Sequence, residues 1–451
     1  MLTITNLADA EYLIGQVALG IDDYYMGAGE APGVWQGGLA AELSLAGVVE
    51  HDQLRALLLG RDPTTDIELL PARGRPRTVT AYDVTFSAPK SVSLLWAFAS
   101  PEVASAASIA HVEAVAVALD FLERRAGATR LQIDGQRQRI TTGLAAAAFV
   151  HRSSREGDPQ LHSHCVVANL GRRPDGTFAA LDATPLYEWG KAAGSVYQEE
   201  LRRRLTRQLG VESGPDRNGC REIEGFNRRW LRTFSKRTVA IEEYLAGAGP
   251  ENPDPAGRMR ADEAASLATR PRKDGSLTPE VLRERWQTEA DAIGLPTGHA
   301  LEAQSCGWTV PELQPPVKWD DLVDALIEPD EGLCARRARF NEAQVVERVA
   351  AFGAGRLTVD AIEDYARAFL ESEQAVLLAD RTGRTSPQYS TVDHLLLERR
   401  VLDLLDELSR ATVDPVPPPL SNRPSLPHQG LVPTKPPPSE RCAHRDKRCA
   451  R

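Results

Sequence analysis

Two apolar, β-prone runs lie close together in the middle of the chain, Thr141-Thr-Gly-Leu-Ala-Ala-Ala-Ala-Phe-Val150 and Cys165-Val-Val-Ala-Asn-Leu170. Between them stands Gly157-Asp-Pro159, which supplies turn chemistry. Short apolar runs on either side of a turn commit this part of the chain to adjoining strands. Three of the nine histidines, His151, His162 and His164, fall in the same stretch. Alternate side chains of a strand share a face, so His162 and His164 point the same way. If the two runs pair as a hairpin, His151 lies across from them and three imidazoles converge. Three ligands with an open position are the pattern of a catalytic metal site rather than a structural one. Chance alternation on a half-wet strand explains a lone His-x-His, but explains a third histidine on the adjoining strand less well.

The rest of the composition fits a soluble intracellular enzyme. The 451 residues allow two to four domains and a large core. No apolar run is expected to reach the length of a membrane span, and the first residues lack the basic and apolar regions of a signal peptide. The six cysteines are scattered at 165, 220, 306, 334, 442 and 449. That is no disulfide framework and indicates a reducing compartment, the cytoplasm. Cys442, His444 and Cys449 match no common zinc spacing. The net charge of −10 argues against a wholly basic nucleic-acid coat but leaves room for a local basic cleft.

The chain reads as successive zones. Residues 1 to about 240 alternate strand-like and helical runs, the pattern of an α+β domain. A charged helical stretch extends this zone to about 312. Residues 317–410 are mostly helical, with helical spacing in 341–350 and 359–369 and a small two-stranded wing from 374–378 and 388–391. Between 415 and 438 stand ten prolines, so residues 411–451 are expected to be a disordered tail.

Two further clusters carry chemistry. Thr78-Val-Thr-Ala-Tyr-Asp83-Val-Thr-Phe-Ser87-Ala-Pro-Lys90 is β-rich, yet places an aspartate in mid-strand, where burial without a partner is costly. Ser87 is positioned to cap a helix entered through Pro89, whose exposed amides, with Lys90 beside them, suit a phosphate. An edge-strand aspartate and an ordinary cap explain this cluster equally well when it is taken alone. The third cluster is Asp22-Asp-Tyr24-Tyr25, with Tyr12 upstream. Tyrosine becomes a nucleophile once its proton is removed, and Asp83 or a metal suits that task.

In order and spacing these three clusters resemble the MobF (TrwC/TraI-type) conjugative relaxases, within the HUH endonuclease superfamily. The residues that carry the resemblance are Asp-Asp-Tyr24-Tyr25 with Gly-Glu-Ala-Pro-Gly-Val-Trp-Gln-Gly, then Asp83-Val-Thr-Phe-Ser-Ala-Pro-Lys-Ser-Val-Ser, then His151 with Pro-Gln-Leu-His162-Ser-His164. The resemblance spans roughly residues 10–300. It implies a central antiparallel sheet with flanking helices, over a relaxase domain of residues 1–312. It implies that His151, His162 and His164 bind a divalent cation (Mg2+ or Mn2+, with Zn2+ as the alternative). It also implies that Asp83 accepts a tyrosine proton or orients a histidine, and that a tyrosine forms a 5′-phosphotyrosyl link. The family usually carries two tyrosine pairs. Here the first is reduced to Glu11-Tyr12, so Tyr12, Tyr24 and Tyr25 all stand as candidate nucleophiles.

The resemblance further implies single-stranded DNA and a DNA hairpin at a transfer origin as partners, with a coupling protein and accessory relaxosome proteins. Eleven Lys or Arg between Arg202 and Arg237, with Trp189, Tyr197, Phe226, Trp230 and Phe234 in or near this zone, suit backbone contact and base stacking. Lys90, Arg202, Arg203, Arg228, Arg229, Lys236 and Arg237 are the DNA-contact candidates, although a solvated helix face with core aromatics is the plainer reading of part of this zone. No Gly-x-x-x-x-Gly-Lys-[Ser/Thr] occurs in the chain, so no ATPase or helicase activity is expected. Two other readings remain, a rolling-circle replication initiator and a decayed relaxase that holds DNA without cutting it.

Overall fold

The protein is described here from a computed structural model, which covers residues 2–7, 32–70, 78–216, 219–247, 264–265, 268–269, 278–307, 315–379 and 386–410. The first elements are β1 (Leu2–Leu7), β2 (Val34–Gln36), α1 (Gly38–Glu42), α2 (His51–Leu58), β3 (Ala81–Ser87), α3 (Lys90–Phe98) and α4 (Pro101–Ala126). Strands β4 (Ala128–Ile133), β5 (Gln136–Thr141), β6 (Ala146–Ser153), β7 (Pro159–Ala168), β8 (Gly171–Arg172) and β9 (Phe178–Ala179) follow. Next come helices α5 (Ala183–Leu209), α6 (Arg228–Thr233), α7 (Lys236–Gly247), α8 (Pro279–Ile293) and α9 (His299–Ser305). The last are α10 (Trp319–Ile327), α11 (Glu342–Gly353), α12 (Val359–Glu371), β10 (Ala375–Ala379), β11 (Gln388–Thr391) and α13 (Val392–Arg410).

Five strands form one sheet in the order β1-β3-β7-β6-β2, and every neighbouring pair is antiparallel. The chain is therefore α+β with a central antiparallel sheet, as the sequence pattern and the family resemblance imply. One face of the sheet presents Tyr82, Val84, Phe86, Ala146, Ala148, Leu161, Cys165 and Val167 to a core shared with α3, α4 and α5. Those helices form for local reasons. Ser100 accepts a hydrogen bond from Val103 N with Pro101 in the first turn, and Asp182 accepts one from Thr184 N at the start of α5. Gly210 ends α5 at φ 63°, which favours glycine. Each fully buried Leu, Val or Phe in this layer contributes roughly 1.5–3 kcal/mol.

The opposite face is divided along its length. At one end Ala81, Ala147, Phe149, Val166 and Ala168 pack with Trp35 and with Leu39, Leu54, Leu57 and Leu58 of α1 and α2. Gly33 fits here because a Cβ would stand 2.3 Å from the Phe149 ring. Further along the same strands, alternation places Asp83 and Thr85 of β3, His151 of β6, and His162 and His164 of β7 on this same face. The sheet thus changes from apolar core to polar site without changing face.

Helix α4 corrects one expectation. It is long and apolar enough to cross a membrane by length and composition. Here Val103, Ala107, Ala110, Ala114, Ala118 and Leu122 are buried against the rest of the protein, as in a core helix. Strand β10 pairs antiparallel with β11, where the sequence places a two-stranded wing. The chain divides into two units at residue 398, and the described part of the second, residues 399–410, is the C-terminal part of α13. The proline-rich tail lies outside the described residues.

Candidate metal centre

The histidines sit where β6 and β7 form their hairpin. In the register His151 faces His162 directly, and Phe149 faces His164. The turn closes through Ser154 N donating to Asp158 O at 2.8 Å and Gly157 N donating to Ser154 O at 2.9 Å, with Gly157 at φ 72°. Two helices hold this turn from outside. Trp286 Nε1 of α8 donates to Gly157 O at 2.6 Å. Lys236 of α7 donates from its backbone N and from Nζ to the buried Asp158 carboxylate, at 2.8 and 2.6 Å.

The three imidazole rings form a near-equilateral triangle, with centroids 5.2, 4.9 and 5.1 Å apart. One ring nitrogen from each lies within 4.8 Å of the others. His151 is buried, and His162 and His164 are half-buried. The Nδ1 of His164 lies 2.9 and 2.8 Å from the two Asp83 carboxylate oxygens. Thr85 Oγ1 donates to the same carboxylate at 3.1 Å. The Nδ1 of His162 lies 2.9 Å from Gln160 O. A carboxylate and a carbonyl can only accept, so both Nδ1 atoms donate and Nε2 is the ring nitrogen that each histidine can turn to a metal. Burial pushes His162 down to about 4, helped by the neighbouring His164, so the ring is neutral at neutral pH. His162 and His164, together with His151, make a three-imidazole donor set that fits a divalent cation with coordination positions left open.

Asp83 therefore sits in mid-strand because its carboxylate faces a histidine. Tyr12, Tyr24 and Tyr25 lie outside the described residues. Ser87 does not cap α3. It ends β3, and Pro89 is the N-cap residue, without a side-chain cap. The first turn of α3 is instead satisfied by Glu222, which accepts from Ser91 N at 2.8 Å and Ser91 Oγ at 2.6 Å. A carboxylate thus occupies the place expected for a phosphate. Lys90 is turned inward and donates to Pro159 O at 2.8 Å. Burial lowers it to about 8, while Asp158 and Glu222 act in the opposite sense.

The basic zone divides in two. Arg202, one of the contact candidates, is 4% exposed and pairs with Glu199 at 2.9 Å, so its guanidinium is held in the interior. Arg203 pairs with Glu200 at 2.7 Å on the same helix. Lys236 is engaged by Asp158 and Glu289, and Arg237 donates to Thr269 O at 2.7 Å. Arg228 and Arg229 are exposed. Arg229, Arg232 and Lys236 line a surface groove of about 410 Å³ with Thr233 and Glu243. Of the aromatics, Tyr197 and Phe234 are fully buried and Trp189 and Trp230 nearly so, which makes them core rather than stacking platforms. Phe226 is half-buried.

With this geometry in view, the comparisons with known proteins converge. Residues 7–293 match the TrwC relaxase family. The multifunctional conjugation protein TraI of Escherichia coli is 29% identical over 419 residues, covering 87% of this chain. The chain spans only 22% of the length of that relative. A metal-bound structure of the conjugative relaxase TrwC in complex with OriT DNA is 33% identical with a TM-score of 0.57. It covers 65% of this chain, which in turn covers 99% of that one. TrwC complexed with a 27-mer DNA comprising the recognition hairpin and the cleavage site is 31% identical with a TM-score of 0.56, at the same coverage.

Proposed function

The chain belongs to the TrwC relaxase family, and from that premise we propose that it nicks and rejoins one DNA strand at a transfer origin during conjugation. The observation that carries this reading is the histidine hairpin, with His151 directly across from His162 and the three ligand nitrogens within 4.8 Å. His151, His162 and His164 would hold a divalent cation. An all-imidazole set suits first-row transition metals such as Zn2+ better than Mg2+, which prefers oxygen ligands. When bound, the cation withdraws charge from a non-bridging oxygen of the scissile phosphate.

Tyr12, Tyr24 or Tyr25 supplies the nucleophile. Its phenolic oxygen attacks phosphorus, the bond to the 3′ oxygen breaks, and a 5′-phosphotyrosyl link forms. One proton leaves the phenol and one arrives at the 3′ oxygen, so no energy cofactor is consumed. Attack by the 3′-hydroxyl in the reverse direction rejoins the strand. Asp83 acts by fixing His164, because both of its oxygens lie within hydrogen-bond reach of that ring.

The DNA partner is a single strand with its adjacent hairpin, met in the cytoplasm, and we place Arg228, Arg229 and Arg232 along its backbone. A coupling protein and accessory relaxosome proteins complete the expected assembly. The test is cleavage mapping. Labelled single strands from DNA flanking the gene are incubated with the chain and Mn2+, and products are run on denaturing gels. One discrete cut, with the protein linked to the 5′ phosphate of the downstream fragment and the link located by mass spectrometry on Tyr12, Tyr24 or Tyr25, is the expected result. Tight binding to these strands without any adduct would identify a DNA-holding protein instead.

A further inference from the structure

Ser163 stands between the two histidines of β7 and points to the opposite side of the sheet. There its Oγ lies 2.8 Å from His111 Nε2 on α4. The Nδ1 of the same ring lies 2.7 Å from the hydroxyl of Tyr197 on α5. All three are deeply buried, Ser163 at 1% exposure and His111 and Tyr197 at 0%. The surroundings are apolar. The Tyr197 ring packs on Phe86 at 5.4 Å, and Phe86 faces Ser163 across the β3–β7 register.

A chain of three polar groups in an apolar layer is costly unless each finds its partner. Here the match is complete in kind, because a neutral imidazole offers one donor and one acceptor nitrogen to two hydroxyls. The ladder bonds of β7 fix its register with β6 and β3. Within that ladder the local twist of the strand can still vary by several degrees. Any such twist swings His162 and His164 together against His151, since both project from the face opposite Ser163.

We propose that His111, held between Tyr197 and Ser163, is a positioning residue that fixes the twist of β7 from behind and so sets the spacing of His162 and His164 against His151. This inference rests on the metal reading proposed above. Neither His111 nor Tyr197 touches the cation or the DNA in this account. They act only through Ser163 and the strand.

The probe is Co2+, whose visible d–d bands report the ligand field of the bound ion, used with the full chain and two conservative variants. Tyr197→Phe removes one hydroxyl at nearly constant volume, and Ser163→Ala removes the other. Each is expected to weaken Co2+ binding severalfold, less than the roughly tenfold or more for groups bonded directly to metal-ligating histidines, and to shift the d–d bands. At limiting metal the maximal nicking rate falls while the KM for an oligonucleotide substrate stays the same. The double variant loses little more than either single one, because both act through one ring. Variants that bind Co2+ with unchanged affinity and spectrum, and differ only in melting temperature, would reduce the triad to a core hydrogen bond and overturn the proposal. Losses that multiply in the double variant would overturn the role of His111 as the shared element. If the unaltered chain binds no Co2+ at all, the metal reading itself fails, and this inference fails with it.

Discussion

Replacing Asp83 by alanine separates two jobs that its carboxylate is chemically able to do. In the structure both oxygens lie within 2.9 Å of His164 Nδ1, and Thr85 Oγ1 stands 3.1 Å from the same nitrogen. In Asp83→Ala the threonine hydroxyl becomes the substitute acceptor. A charge-assisted hydrogen bond, worth roughly 1.5–3 kcal/mol, is then exchanged for a neutral one of roughly 0.5–1.5 kcal/mol. The difference between the middles of these ranges, about 1.25 kcal/mol, corresponds to about an eightfold loss of metal affinity, close to the lower end of the range for carboxylates behind metal-bound histidines. Asp83→Asn keeps an acceptor oxygen and loses less. Calorimetric titration with Mn2+ measures the affinity, and adduct formation against Mn2+ concentration measures the consequence. Both variants are expected to regain nicking when Mn2+ is raised about tenfold. An alanine variant with unchanged Mn2+ affinity, still inactive at saturating metal, would refute the reasoning and assign Asp83 to the tyrosine proton.

Three further outcomes follow from the same geometry. His111 is pushed down to about 3 by burial, helped by the neighbouring His162. The unfolded chain therefore takes up a proton below about pH 6.5 that the metal-free folded chain refuses. Stability must then fall with pH across that window, at up to about 1.4 kcal/mol per pH unit for one imidazole. Urea unfolding at about pH 6 and about pH 5 should show a shallower fall for His111→Gln, and equal slopes would contradict the assignment. Lys236→Met leaves the buried Asp158 without its ammonium partner and should destabilise the chain by about 3 kcal/mol in the same assay; a change below about 1 kcal/mol would show that the backbone amide alone holds the turn. Arg229→Ala and Arg232→Ala should each reduce the salt dependence of single-strand binding by about one released counterion, whereas Arg202→Ala lowers stability and leaves that slope alone. An unchanged slope for both groove variants would take the groove off the DNA path.

The site was legible where its logic is local. Strand alternation, a Gly-Asp-Pro turn and three histidines in one stretch bring His151, His162 and His164 together from the sequence alone, and a mid-strand aspartate points to the polar partner that His164 supplies. Reading failed where the partner comes from far along the chain. Nothing near α3 foretells that Glu222, 131 residues away, satisfies its first turn, or that Lys90 turns in to the carbonyl of Pro159. His111 looks like a lone histidine on an alanine-rich helix, because its partners lie 52 and 86 residues distant. The arginines of α5 are a different case. Glu199 and Glu200 stand three and four residues before Arg202, Arg203 and Arg204, the spacing of ion pairs along one helix face, so the inward pairing had a sequence signal. Counting positive charge alone passed over it.

The central claim is that the histidine hairpin holds the cation on which nicking depends. Yield of the protein–DNA adduct against Mn2+ concentration tests it most directly, in the unaltered chain and in His162→Ala and His164→Ala. The account predicts a saturable rise in the unaltered chain, abolition by chelator, and no adduct from either variant at the same concentrations. Full adduct yield in chelator, or from both variants without added metal, would contradict it.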